Sequence, residues 1–182
     1  MKVVMMVIGL MVANACFGQD RPQVVIDSIY GVAYPYKKQI QTLKTIKGVS
    51  VSIIRITEES SNKSVARVRL IITDFLAAGS NNSEIIALSP DDVDYLVSRL
   101  SHYYVLGNTD APRNYEEHTD ILGSLGNRVK LSLFSSENTG KWTFKLIAVR
   151  PVRKDVMCHL QINDLPELAK LFKQASNMVK AM

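Results

Sequence analysis

Glu116, His118 and Asp120 alternate within a segment that also holds Glu117. If the segment is extended, these three side chains leave the same face. Two carboxylates and an imidazole would suit a divalent cation. An exposed acidic strand or loop accounts for the same residues without a metal, so no metal site is assigned on them. A second set is basic: Arg67, Arg69, Lys130, Lys141 and Lys145. Each alternates with apolar residues and would project from a sheet face opposite the core. Such a face could hold phosphates. Single-strand binders add aromatic stacking platforms, and none is expected to alternate with these cations. The nearest candidates are Tyr30, Tyr34 and Tyr36. A charged face that keeps an antiparallel sheet in solution explains the cations equally well.

Nucleophiles and cofactor loops are absent from the pattern. Gly140-Lys141 is followed by Trp142, with Ser135 where a phosphate loop needs glycine. Gly123-Ser124-Leu125-Gly126 is no nucleophile elbow. Cys and His spacing fits no zinc site. Cys158 lies in an apolar alternating stretch and reads as a small buried hydrophobe. His102 sits late in a helix, and His159 alternates toward solvent. No enzymatic activity and no cofactor are expected.

The elements that must carry these residues begin after a leader. Lys2 precedes the apolar run Val3 to Val12, and Ala13-Asn14-Ala15 follows. This charge, apolar core and small-residue order is that of a signal peptide, and the run is too short to span a bilayer. Residues 1–18 are expected to be removed, leaving Gln19 first. A cut before Cys16 would instead make Cys16 a lipidation candidate. The protein is thus expected to be exported, whether periplasmic, extracellular or lipid-anchored. A membrane would be a partner only through Cys16.

Apolar residues make up 47% of the 182, enough for one domain with its own core. The net charge of +5 is unevenly spread. Residues 36–70 and the stretch from Ser135 onward are basic, and 74–120 is acidic. This permits a polyanionic partner, although an asymmetric solvated surface would look the same.

Val49 to Thr57 and Val65 to Phe75 alternate as strands, and Glu84 to Leu88 forms a shorter one. Ser89-Pro90-Asp91-Asp92 then caps a helix with the stripe Val93, Leu96, Val97, Leu100 and Tyr104, ending near Gly107. The order recurs. Strands are expected at Arg128 to Phe134, Trp142 to Ala148 and Val156 to Ile162, with a hairpin turn at Glu137 to Lys141. Asp164-x-x-Glu167 caps a final helix. One more strand could precede each half: Val24 to Tyr30 or Gln39 to Ile46 in the first, Glu117 to Leu122 in the second. The expected fold is α+β, a duplicated antiparallel sheet-then-helix unit. The domain spans 49–182 with halves 49–107 and 115–182, and 19–48 is structurally uncertain.

The run Gly126-Asn127-Arg128-Val129-Lys130-Leu131-Ser132-Leu133, with Gly140-Lys141-Trp142-Thr143-Phe144-Lys145-Leu146, resembles a Pur-type repeat. Ile86-Ala87-Leu88-Ser89-Pro90 before a helix is similar to the Whirly pattern. The resemblance rests on element order over about Val49 to Val179. It implies a doubled sheet-helix architecture and, in those families, single-stranded nucleic-acid binding. The expected function is that of an exported, non-enzymatic domain with a binding or structural role in the cell envelope, its partner an envelope protein or a polyanion. The alternative is nucleic-acid or polyanion binding through the basic sheet face.

Overall fold

The structure is a computed structural model of the chain, and it describes residues 36–59, 62–75, 82–111, 115–122, 129–135 and 141–182. The expected leader, Cys16 and the strand expected at Val24 to Tyr30 lie outside these residues, as does most of the turn at Glu137 to Lys141.

Among the described residues, eight strands and two α-helices follow one another in two rounds. The first round is β1 (Tyr36–Ile46), β2 (Val49–Glu58), β3 (Ser64–Asp74), β4 (Asn82–Leu88) and α1 (Pro90–Thr109). The second is β5 (Glu117–Ile121), β6 (Val129–Ser135), β7 (Trp142–Ala148), β8 (Val156–Leu160) and α2 (Leu165–Lys180). Each round makes an antiparallel four-stranded sheet in sequential order, followed by its helix. The duplicated α+β unit is therefore present. Residues 36–46, which precede the expected domain, supply its first strand.

Period-two alternation sets the inner faces. On β7, Trp142, Phe144 and Leu146 are buried and Thr143 and Lys145 are half-buried between them. On β3, Val68, Leu70 and Ile72 point inward and register against Ile53, Val51 and Val49. A two-residue turn joins β1 to β2, with positive φ at both Lys47 (42°) and Gly48 (90°), as such hairpins require. Gly48 has no alternative there: a Cβ would lie 2.7 Å from the Thr73 carbonyl oxygen.

Ser89 caps α1 as expected. Its Oγ accepts from the Asp92 amide at 3.2 Å, and its amide donates to Asp92 Oδ2 at 2.9 Å. The buried stripe differs from expectation at its last member. Tyr103 is buried and Tyr104 exposed, because the Tyr103 hydroxyl has a partner on β5. The helix also runs past Gly107, which lies within it and lets Ile162 pack against its backbone. Ile162 is not in a strand; β8 stops at Leu160 and a 3-10 turn covers Ile162–Asp164. Asp164 makes no side-chain cap for α2. Its Oδ2 instead accepts from the Gln161 amide and from Lys47 Nζ, each at 2.8 Å.

The halves are interwoven. From the first half, α1 reaches the second sheet: Tyr103 stacks at a tilt on Phe144, centroids 5.6 Å apart, and Trp142 Nε1 donates to the Asp110 carbonyl. From the second half, α2 runs against β1, β2 and β3 of the first sheet, and Glu167 pairs with Lys44. The two helices lie antiparallel, with Lys180 Nζ 2.7 Å from Asp94 Oδ2 and Ser176 bonded to the same carboxylate. One continuous apolar cluster results, drawn from both sheets and both helices. Arg150, after β7, closes the contact elsewhere. Its guanidinium donates to Glu84 Oε2, Asn82 Oδ1 and the Ser83 carbonyl, all on β4. The planar fork suits three such acceptors.

Candidate functional site

His118 and Asp120 share one face of β5, as their spacing requires, but that face turns toward α1. Asp120 Oδ2 accepts from Arg99 Nε and from the Tyr103 hydroxyl, both at 2.6 Å. Burial, then the bond to this carboxylate, raises the Tyr103 phenol above its ordinary range. His118 lies 5.6 Å from the Trp142 ring and meets Glu116 Oε1 at 3.0 Å. Glu116 and His118 thus pair with each other, while Asp120 is taken by Arg99 and Tyr103. Among the described residues no three His, Cys, Asp or Glu side chains gather to hold a metal ion. Asp120 and its partners pin α1 to the second sheet.

Cys158 is buried on the inner face of β8, and its thiol donates to the Lys47 carbonyl. Burial, followed by the nearby Asp74 carboxylate, pushes the thiol up to about 11. A thiol that holds its proton so firmly is a poor nucleophile.

The five cations do not share one face. Arg67 and Arg69 stand on the outer face of the first sheet, in register with Ile54 and Ser52, both buried. Arg67 Nη1 there donates to the Ala66 carbonyl. Lys130 and Lys145 stand on the outer face of the second sheet, and Lys141 is exposed just before β7. The five split between two sheets because alternation fixes which side of its own sheet a residue takes, and says nothing about the other sheet.

On the second sheet, cross-strand register builds a compact row. Thr119, Ser132, Lys145 and His159 are successive neighbours across β5, β6, β7 and β8. Beside them run Glu117, Phe134 and Thr143, and on the other flank Ile121, Lys130, Ile147 and Met157. Lys145 Nζ lies 3.6 Å from the centre of the Phe134 ring, a cation–π contact. His159 meets the same ring edge-on at 6.4 Å. Burial, then the Lys145 charge, lowers the His159 pKa from its ordinary value. Phe134 is an aromatic ring on this face that sequence reasoning missed. Its signal was available in the parity of residues 130, 132 and 134 on one strand. An aromatic among strand residues is ordinarily assigned to the core, and that habit hid it.

Glu117 enters the same face from the edge strand. Its Oε1 accepts from Ser132 Oγ at 2.8 Å and Thr119 Oγ1 at 3.1 Å, and lies 3.7 Å from Lys130 Nζ. The Ser132 bond is the main reason its carboxyl titrates below the usual range.

The chain matches no family model and no curated protein. Among the described residues no helix is long and apolar enough to cross a membrane.

Proposed function

We propose that this protein is an exported, non-enzymatic binding domain, and that the outer face of its second sheet takes an anionic polymer, single-stranded nucleic acid foremost. Export rests on the leader at residues 1–18. Binding rests on one observation: a phenyl ring, two ammonium groups and an imidazole are neighbours on the face turned away from the helices. A flat base and its phosphate need a ring to stack on and cations beside it. Lys145 already covers Phe134; a base taking the ring would release that ammonium to the adjoining phosphate. The basic excess of the whole chain favours the encounter. The similarity to Pur-type and Whirly patterns points the same way.

The test is fluorescence anisotropy of a labelled oligothymidylate across a salt series. Two lysines on the strand path predict a log–log salt slope of roughly −1.4, and removing one should flatten it by about 0.7. Phe134→Ala should weaken binding by about 1–3 kcal/mol. Heparin carries charge without bases, so its binding should depend on Lys130 and Lys145 and ignore Phe134. Absence of oligonucleotide binding at low salt would end the proposal.

A further inference from the structure

We infer that Glu117 occupies an oxyanion subsite of this face, standing where a phosphodiester oxygen of the bound strand would go, and so acts as a built-in competitor for the ligand. The inference rests on the binding face proposed above and assigns its chemistry. Three donors converge on a single oxygen: the hydroxyls of Ser132 and Thr119 and the ammonium of Lys130 all address Glu117 Oε1. Ser132 is only 1% exposed and sits in the middle of the sheet, so its hydroxyl is aimed by the backbone rather than by a flexible stem. Lys145, diagonal to Lys130 across β6 and β7, also bears electrostatically on this carboxylate. The buried Ser132 hydroxyl, the exposed Thr119 hydroxyl and the Lys130 ammonium around one oxygen, with the Lys145 charge further off, form a site for an oxyanion. Phe134 is the cross-strand neighbour of Glu117, which puts a stacking surface directly beside that oxygen. A phosphate next to a base therefore fits better than an isolated sulfate.

The occupant is able to leave. The Glu117 side chain is half exposed, at 52%, on the edge strand of its sheet. An exposed pair of this kind is held weakly. A ligand carrying several phosphates, one of them opposite Lys130, outcompetes a single tethered carboxylate. Swinging Glu117 into solvent breaks its bond to the buried Ser132 hydroxyl, which the incoming ligand oxygen takes over.

The experiment compares the full chain with Glu117→Gln, using the same oligothymidylate and, separately, heparin. Glutamine keeps the oxygen and removes the charge. Its oligonucleotide affinity should rise roughly fivefold at low salt, the effect of deleting one like charge about 4 Å from the phosphate in water. Adding Ser132→Ala to Glu117→Gln should cancel that gain. Glu116→Gln, which makes the same charge change beside His118, should leave binding near wild type. If wild type binds and weakens on Lys145→Ala while Glu117→Gln is unchanged or weaker, Glu117 is an ordinary surface acid and the inference falls, with the binding face intact. An equal gain in Glu116→Gln overturns the inference too, because only net charge is then at work. A gain confined to heparin overturns the phosphodiester assignment. If neither wild type nor Glu117→Gln binds oligonucleotide, the binding face itself is wrong. Urea midpoints for every variant confirm that the fold is held constant.

Discussion

Replacing Tyr103 by Phe removes one oxygen from a buried ring, and it tests whether α1 is anchored on the second sheet. The hydroxyl donates to the Asp120 carboxylate at 2.6 Å, and the residue is 1% exposed. A hydrogen bond to a charged acceptor contributes about 1.5–3 kcal/mol net. Asp120 keeps Arg99 as a second donor, so the lower half of that range applies, about 2 kcal/mol. Asp120→Ala should cost more, about 3 kcal/mol, because it strands both the buried phenol and the guanidinium. The two changes share one contact, so the double variant should fall short of additivity by roughly 1.5 kcal/mol. Urea unfolding reads all three, provided the slope with denaturant stays constant. Tyr104→Phe is the control: that residue is 38% exposed, and an exposed hydroxyl should matter by less than about 0.5 kcal/mol. Equal effects at Tyr103 and Tyr104, or strict additivity of Tyr103→Phe with Asp120→Ala, would refute the cross-half anchor.

Gly48→Ala forces positive φ on an L-residue and drives a methyl to within 2.7 Å of the Thr73 carbonyl oxygen. The expected loss is about 2–4 kcal/mol in thermal or urea unfolding; a neutral result would mean that the β1–β2 turn is built differently. His159 should make both stability and binding depend on pH. Its pKa is lowered by burial and then by Lys145, so the folded state takes up its proton later than the unfolded chain. Stability is therefore full above about pH 6.5 and declines as pH falls from there through the lowered folded value. Over the same window protonation adds a cation to the face, and oligonucleotide binding should tighten. His159→Gln should flatten both profiles.

Most of the architecture was legible because side-chain parity is a local property. Val49, Val51 and Ile53 or Trp142, Phe144 and Leu146 announce an inner face with no knowledge of the rest of the chain. Strand β1 was harder to read. It is an exposed edge strand, and a register shift between Thr42 and Lys44 breaks its alternation. Its lysines suit an edge that must avoid further pairing, and they dilute the apolar signal. Tyr103 and Tyr104 both follow Leu100 at helical spacing. Only Asp120, seventeen residues ahead of Tyr103, decides between them. The same holds for the proposed binding face. Lys130, Lys145 and Phe134 could be assigned to an outer side, but Glu117 and Ser132 meet only through strand register. Arg67 and Arg69 resembled the lysines in pattern, yet they belong to another sheet.

Because α2 runs against the first sheet and Tyr103 of α1 packs on the second, a single sheet-helix unit lacks part of the interior seen here. Such a unit alone would have to find a second copy, and its stability would track protein concentration. Joining two copies through the segment between Thr109 and Glu117 makes that encounter intramolecular, so the effective concentration of the missing half is set by a short tether. The two outer faces are thereby freed from being identical. One carries Lys130, Lys145 and Phe134 while the other carries Arg67 and Arg69, a difference denied to a symmetric pair.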